Sequence, residues 1–104
     1  MKESTLKTRI KRDLTRLGCK VIAYPNTGLG EKGTPDLIGC YRGQMFLIEA
    51  KVGENDPSKI QYRRLDEWNE AGAFADVERE DFDAEDFLLR LIKAFKHEEE
   101  ETNE

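Results

Sequence analysis

The chain carries one histidine, two cysteines and one tryptophan in 104 residues, and its apolar runs extend over only a few positions. Two cysteines and one distant histidine supply no zinc-ligand spacing. Cys19 and Cys40 lie in apolar, strand-like runs and read as reduced core residues. His97 opens the run HEEEETNE, which leaves no histidine as a general base. The short apolar runs and the polar stretch MKESTLKTR resemble neither a spanning helix nor a secretory signal, so neither is expected. A soluble, cytoplasmic protein with no membrane partner is the expectation. A chain of 104 residues holds one core and one domain, too little for a cofactor domain beside a substrate domain.

Net charge is −5, a balance that speaks against nucleic acid until its distribution is read. Residues 1–20 carry +5, residues 21–77 carry −3 and residues 78–104 carry −7. The acidity is concentrated at the C-terminal end, and residues 98–104 read as a disordered acidic tail behind a domain spanning 1–97.

Leu6, Ile10, Leu14 and Leu17 recur at helical spacing, with Ser4 as the expected cap and Gly18 as the stop. Lys7, Arg9, Lys11, Arg12 and Arg16 fall off that stripe, on a face that is either solvated or turned to phosphates. CKVIAY reads as a first strand, ended by Pro25. Gly28, Gly30 and Gly33 satisfy G-x-G-x-x-G, yet Pro35 and a strand follow where a dinucleotide site needs a helix, so no nucleotide cofactor is expected. A flexible substrate loop fits better, with Lys32 placed to touch a phosphate.

DLIGCY and QMFLIEA form two strands around the two-residue turn Arg42-Gly43. If Tyr41 pairs with Gln44, Asp36 falls opposite Glu49 on one face, and Lys51 returns to that face two residues later. A loop one residue longer or shorter would reverse this parity. Facing carboxylates repel unless a cation sits between them, and a divalent metal meets that need. Both faces of the hairpin also carry apolar residues, so helices must cover both sides. Ser58 caps the next helix, where Gln61, Leu65 and Trp68 share a stripe. Gln61 is there either as a boundary glutamine bonded to backbone or as a site residue. AFADVER is a further strand. Asp83 and Asp86 open a last helix with the stripe Phe87, Leu88, Leu91, Ile92 and Phe95.

Pro35-Asp36 followed by Glu49-x-Lys51 resembles the motif of the PD-(D/E)xK nuclease superfamily. Within it the chain is most similar to the VRR-NUC (virus-type replication-repair nuclease) family in its small stand-alone phage form. The matching stretches are NTG, GTPDLIGCYRG, FLIEAK, QYRRLDEW and AGAFADVER, which cover most of residues 26–79. The resemblance implies an αβββαβα restriction-endonuclease-like core of α/β class, a mixed sheet with helices on both faces. It implies a Mg2+- or Mn2+-dependent endonuclease that hydrolyses DNA phosphodiesters, a homodimer acting on branched or four-way (Holliday) junctions. Asp36, Glu49, Lys51 and Gln61 match its catalytic positions. Asp36, Glu49 and the Ala50 carbonyl are then the metal ligands, with Glu3 matching an acidic residue of the first helix. Lys32, Arg63, Arg64 and Arg79 are the expected DNA contacts. Where the family has a Val-Arg-Arg-like run this chain has Val77, Glu78 and Arg79, so only Arg79 carries over. Other classes stay open: a nucleic-acid-binding module with a lapsed site, a structural ion network built on the same three charges, or a sequence-specific restriction-type endonuclease.

Overall fold

Leu6, Ile10 and Leu14 are fully buried on α1 (Glu3–Arg16), as their spacing predicts. The structure is a computed structural model that describes residues 1–25 and 28–102, with side chains described through Lys96. Asn26 and Thr27 of the NTG stretch, and Asn103 and Glu104, lie outside the described residues. α1 is followed by β1 (Lys20–Ala23), β2 (Leu37–Tyr41), β3 (Gln44–Ala50), α2 (Lys59–Glu70), β4 (Phe74–Glu78) and α3 (Ala84–Thr102). This is the αβββαβα order expected from the sequence.

The strands form one sheet in the order β1-β2-β3-β4. The first three are mutually antiparallel, and β4 runs parallel to β3 after the α2 crossover. Tyr41 pairs with Gln44 and Leu37 with Ile48, so the parity inferred from the two-residue turn holds. Arg42 and Gly43 both adopt positive φ (49° and 84°), the signature of a tight hairpin turn whose twist matches the strands.

Each face of the sheet has its own core. On one, Leu6, Ile10 and Leu14 meet Leu37, Phe46, Ile48 and Ala50, together with Phe87, Leu88 and Leu91 of α3. Phe87 packs edge-on to Phe46 at 5.3 Å between ring centroids. Each such fully buried side chain contributes about 1.5–3 kcal/mol relative to exposure. On the other face Leu65 of α2 joins Leu47 and Ala75, flanked by Ile38, Met45, Trp68 and Val77. α2 covers the β3–β4 half of this face and leaves Ile22 and Cys40 exposed, so Cys40 is not the core residue its apolar surroundings suggest.

Local differences from expectation have simple causes. α1 starts before Ser4: Lys2 is the N-cap and makes no side-chain cap bond, while the Ser4 carbonyl accepts the Thr8 hydroxyl at 3.0 Å. Both α1 and α2 end in Schellman turns at Gly18 and Gly72, with Cys19 N–H donating to Leu14 and Ala73 N–H to Trp68. Ile92, expected on the buried stripe of α3, is 40% exposed. α3 extends to Thr102. Among the described residues no helix is long and apolar enough to cross a membrane.

Candidate active site

Asp36 stands one residue before β2 and Glu49 one residue before the end of β3, so the hairpin register brings them face to face. Backbone contacts hold Asp36 from two sides. Its carbonyl accepts from Tyr24 N–H at 2.8 Å, and its carboxylate Oδ2 accepts from Ala50 N–H at 2.9 Å. Oδ1 lies 3.8 Å from the Lys7 ammonium.

Glu49 is only 2% exposed. Its Oε1 accepts from the Gln61 side-chain amide at 2.9 Å, and its Oε2 has no hydrogen-bond partner among the described residues. Burial, and next the negative charge of Asp36, push the Glu49 carboxyl up to about 8, with Lys51 pulling the other way.

Gln61 is bonded both to the backbone of its own helix start and to Glu49. Its side-chain oxygen Oε1 accepts from Ser58 N–H at 2.8 Å while its backbone N–H donates to the Ser58 hydroxyl at 3.3 Å, a reciprocal capping box at the start of α2. With the amide oxygen occupied by the cap, the amide NH2 is aimed at Glu49. The S-x-x-Q spacing was legible in the sequence as a capping box, although its link to Glu49 was not.

Lys51 follows β3 and is tied through its N–H to the Glu78 carbonyl at 3.1 Å. Its side chain is 14% exposed, with Nζ 4.0 Å from Glu3 Oε1. Glu3 is therefore placed against Lys51. Among the described residues no group of three or more histidine, cysteine, aspartate or glutamate side chains is arranged to hold a metal ion. The side-chain donors at this point are the two facing carboxylates. They still suit a hard cation, because Glu49 Oε2 is a buried, unpartnered oxygen beside a second carboxylate. Tyr24, Glu31, Gly33, Thr34, Pro35, Asp36 and Gln61 line a cleft of about 90 Å³ that opens the site to solvent.

The sequence matches no protein-family profile and no curated protein. Among solved structures, a VRR_NUC domain protein superposes with a TM-score of 0.69 at 20% identity, covering 90% of each chain. A VRR_NUC domain gives 0.61 at 23% identity, over 91% of this chain and 95% of that one. The chain has the fold of the VRR_NUC domains. Hjc, a Holliday junction resolvase from the archaeal hyperthermophile Archaeoglobus fulgidus, gives 0.58 at 18% identity, over 75% of this chain and 68% of its own.

On this VRR_NUC fold the cations expected to contact DNA divide into free and committed. Arg63 and Lys32 are exposed, and neither side chain forms an ion pair among the described residues. Lys32 also lines a second cleft of about 330 Å³ with Tyr24, Pro25, Gly28, Gly30 and Glu31. Arg64 is committed: it donates to the Lys32 carbonyl at 2.9 Å and pairs with Glu31 and Glu67, bracing the glycine-rich loop against α2. Arg79 is committed too. It donates to the carbonyls of Gly53 and Asn55 and to Asp56, which ties down the turn between Lys51 and α2. Both guanidiniums have acceptors within the fold. The basic face of α1 is likewise divided. Arg9 donates to the Glu80 and Phe82 carbonyls and Arg12 to Asp13, whereas Lys7 reaches the site. Sequence reasoning left Lys7 undistinguished. Its spacing of four from Glu3 was the available signal.

Proposed function

We propose that the chain is a member of the VRR-NUC family and a divalent-metal-dependent endonuclease that hydrolyses DNA phosphodiester bonds. The observation that carries this reading is the buried Glu49 carboxylate facing Asp36, with one oxygen unpartnered and no arginine or lysine in contact with it among the described residues. Asp36, Glu49 and the Ala50 carbonyl would hold a magnesium or manganese ion. Bound there, the ion supplies the charge the acid pair lacks, acidifies a water molecule and offsets charge developing on the phosphate.

The protein's own groups do the rest. Gln61 fixes the Glu49 carboxylate by donating to Oε1, and Ala50 N–H fixes Asp36 through Oδ2. Lys51, held near the same end of the sheet, offers an ammonium to the attacking water or to the pentacovalent phosphate. Lys32 and Arg63 attract the DNA backbone.

Branched DNA, four-way junctions in particular, is the proposed substrate, and a homodimer is the proposed active form. A twofold dimer supplies two sites to a junction that has an approximate twofold axis of its own, and isologous pairing is the commonest oligomer symmetry. The shared fold with a Holliday junction resolvase supports the choice. The deciding experiment is a cleavage panel of single-stranded, duplex, flap and four-way junction DNA with Mg2+ or Mn2+, alongside light scattering of the free protein. Paired nicks across the junction by a particle of twice the chain mass are expected. Sequence-defined duplex cuts would replace this reading with a restriction-type enzyme, and absence of cleavage with either ion would leave a binding module.

A further inference from the structure

The first two turns of α1 project Glu3 and Lys7 from one face of the helix, four residues apart, toward the site. Their partners are crossed in charge: Glu3 Oε1 lies 4.0 Å from the Lys51 ammonium, and the Lys7 ammonium lies 3.8 Å from Asp36 Oδ1. Of the four carboxylate oxygens at the acid pair, Asp36 Oδ2 is taken by Ala50 N–H and Glu49 Oε1 by Gln61. The remaining two are Glu49 Oε2, which has no hydrogen-bond partner among the described residues, and Asp36 Oδ1, which faces Lys7.

We propose that Lys7 is a built-in counter-ion, which neutralises Asp36 while the site holds no divalent cation and turns to a DNA phosphate once one is bound. The inference rests on the nuclease reading above and adds a residue to it. A cation that uses Asp36 Oδ1 meets the Lys7 ammonium at the same oxygen, and like charges a few ångströms apart weaken its binding. At a solvent-like dielectric that repulsion corresponds to a factor of roughly three to ten in affinity. Lys7 is able to leave: its side chain is 36% exposed and sits on a flexible four-carbon stem. Displaced from Asp36, the ammonium stays beside the phosphate that the site is built to receive, and it adds one ionic contact to DNA binding.

The test uses the full chain in two measurements. Mn2+ binding without DNA is followed by calorimetry for the wild type, K7Q, K7R, D36N and the double variant K7Q/D36N. Binding to a fluorescent four-way junction is followed by anisotropy in Ca2+ across a salt series. K7Q is expected to bind Mn2+ three to ten times more tightly than the wild type, and K7R to stay within about twofold of it. In the D36N background the K7Q effect should vanish, because the negative charge that Lys7 faces is gone. The slope of log affinity against log salt should fall by about one in K7Q and recover in K7R. A merely structural lysine would give the opposite sign, with weaker Mn2+ binding and a lowered melting temperature. Unchanged or weakened Mn2+ affinity in folded K7Q overturns the role of Lys7 alone. A wild type that binds no Mn2+ overturns the nuclease reading and the counter-ion role together.

Discussion

Two acid pairs sit on the sheet, and they are neutralised in different ways. Asp76 and Glu78 on β4 face α3, where Arg90 donates to Asp76 at 2.8 Å, to both oxygens of Glu78 at 3.2 and 3.3 Å, and to Asp86 at 3.0 Å. Asp36 and Glu49 face α2 and the start of α1, where Glu49 receives one neutral amide and Asp36 one distant ammonium. Glu78 is nearly as buried as Glu49, and burial likewise pushes its carboxyl up, to about 7, with Arg90 pulling it down. The Arg90 cluster is what a structural ion network looks like in this protein. The Asp36–Glu49 pair lacks its defining component, an arginine in contact with both acids. On the proposed nuclease reading, that difference separates a self-contained network from a site that takes an outside cation.

The largest expected effect tests this division directly. E49Q and D36N should each lower cleavage by roughly 10²- to 10³-fold, while E78Q keeps it within a few-fold, measured as initial rates on one junction substrate. Equal losses in E49Q and E78Q would erase the distinction between the two pairs. Saturating Mn2+ should raise the stability of the wild type by about 2.7 kcal/mol at a hundred times its dissociation constant. Thermal melts should show this rise in R90M and not in E49Q.

The two carboxyls also divide the pH dependence of the metal-free protein. Each holds its proton in the folded state to a higher pH than in the unfolded chain, where the ordinary value is 4.5. Stability is therefore fullest below about 4.5 and declines as pH rises through the folded values of about 8 for Glu49 and about 7 for Glu78. From pH 5 to 8 the two shifts together correspond to a loss on the order of 6 kcal/mol, more of it from Glu49 than from Glu78. E49Q should flatten the curve most between pH 7 and 8, and urea titrations at each pH check this. A wild type whose stability rises across that window would show that Glu49 is already neutralised from within. The smallest effect is that of R90M, which should cost about 1–2 kcal/mol in urea denaturation, since Arg90 is partly exposed. E49Q in metal-free buffer should be neutral or stabilising.

Much of the site was legible because it depends on local rules. A two-residue turn and a period of two placed Asp36 opposite Glu49, and a helical period placed Gln61 on the stripe with Leu65. The angle at which α1 crosses the sheet has no such local signature, so the approach of Lys7 to Asp36 and of Glu3 to Lys51 was out of reach. Arginines hid their roles for a related reason. Arg63, Arg64 and Arg79 are the same residue in sequence, and only tertiary acceptors show that Arg64 and Arg79 brace the fold while Arg63 forms no ion pair among the described residues. Cys40 was misplaced because an apolar neighbourhood does not reveal how far α2 extends across the sheet.

The single amide of Gln61 closes the first turn of α2 with one end and steadies Glu49 with the other. Helix initiation and carboxylate aim are thus one equilibrium. Fraying at Ser58 releases Glu49 without touching it, so a cap loss of about 1 kcal/mol, as in S58A, is felt as a loosened carboxylate. The helix end behaves as a latch whose tension can be read by amide exchange at Gln61.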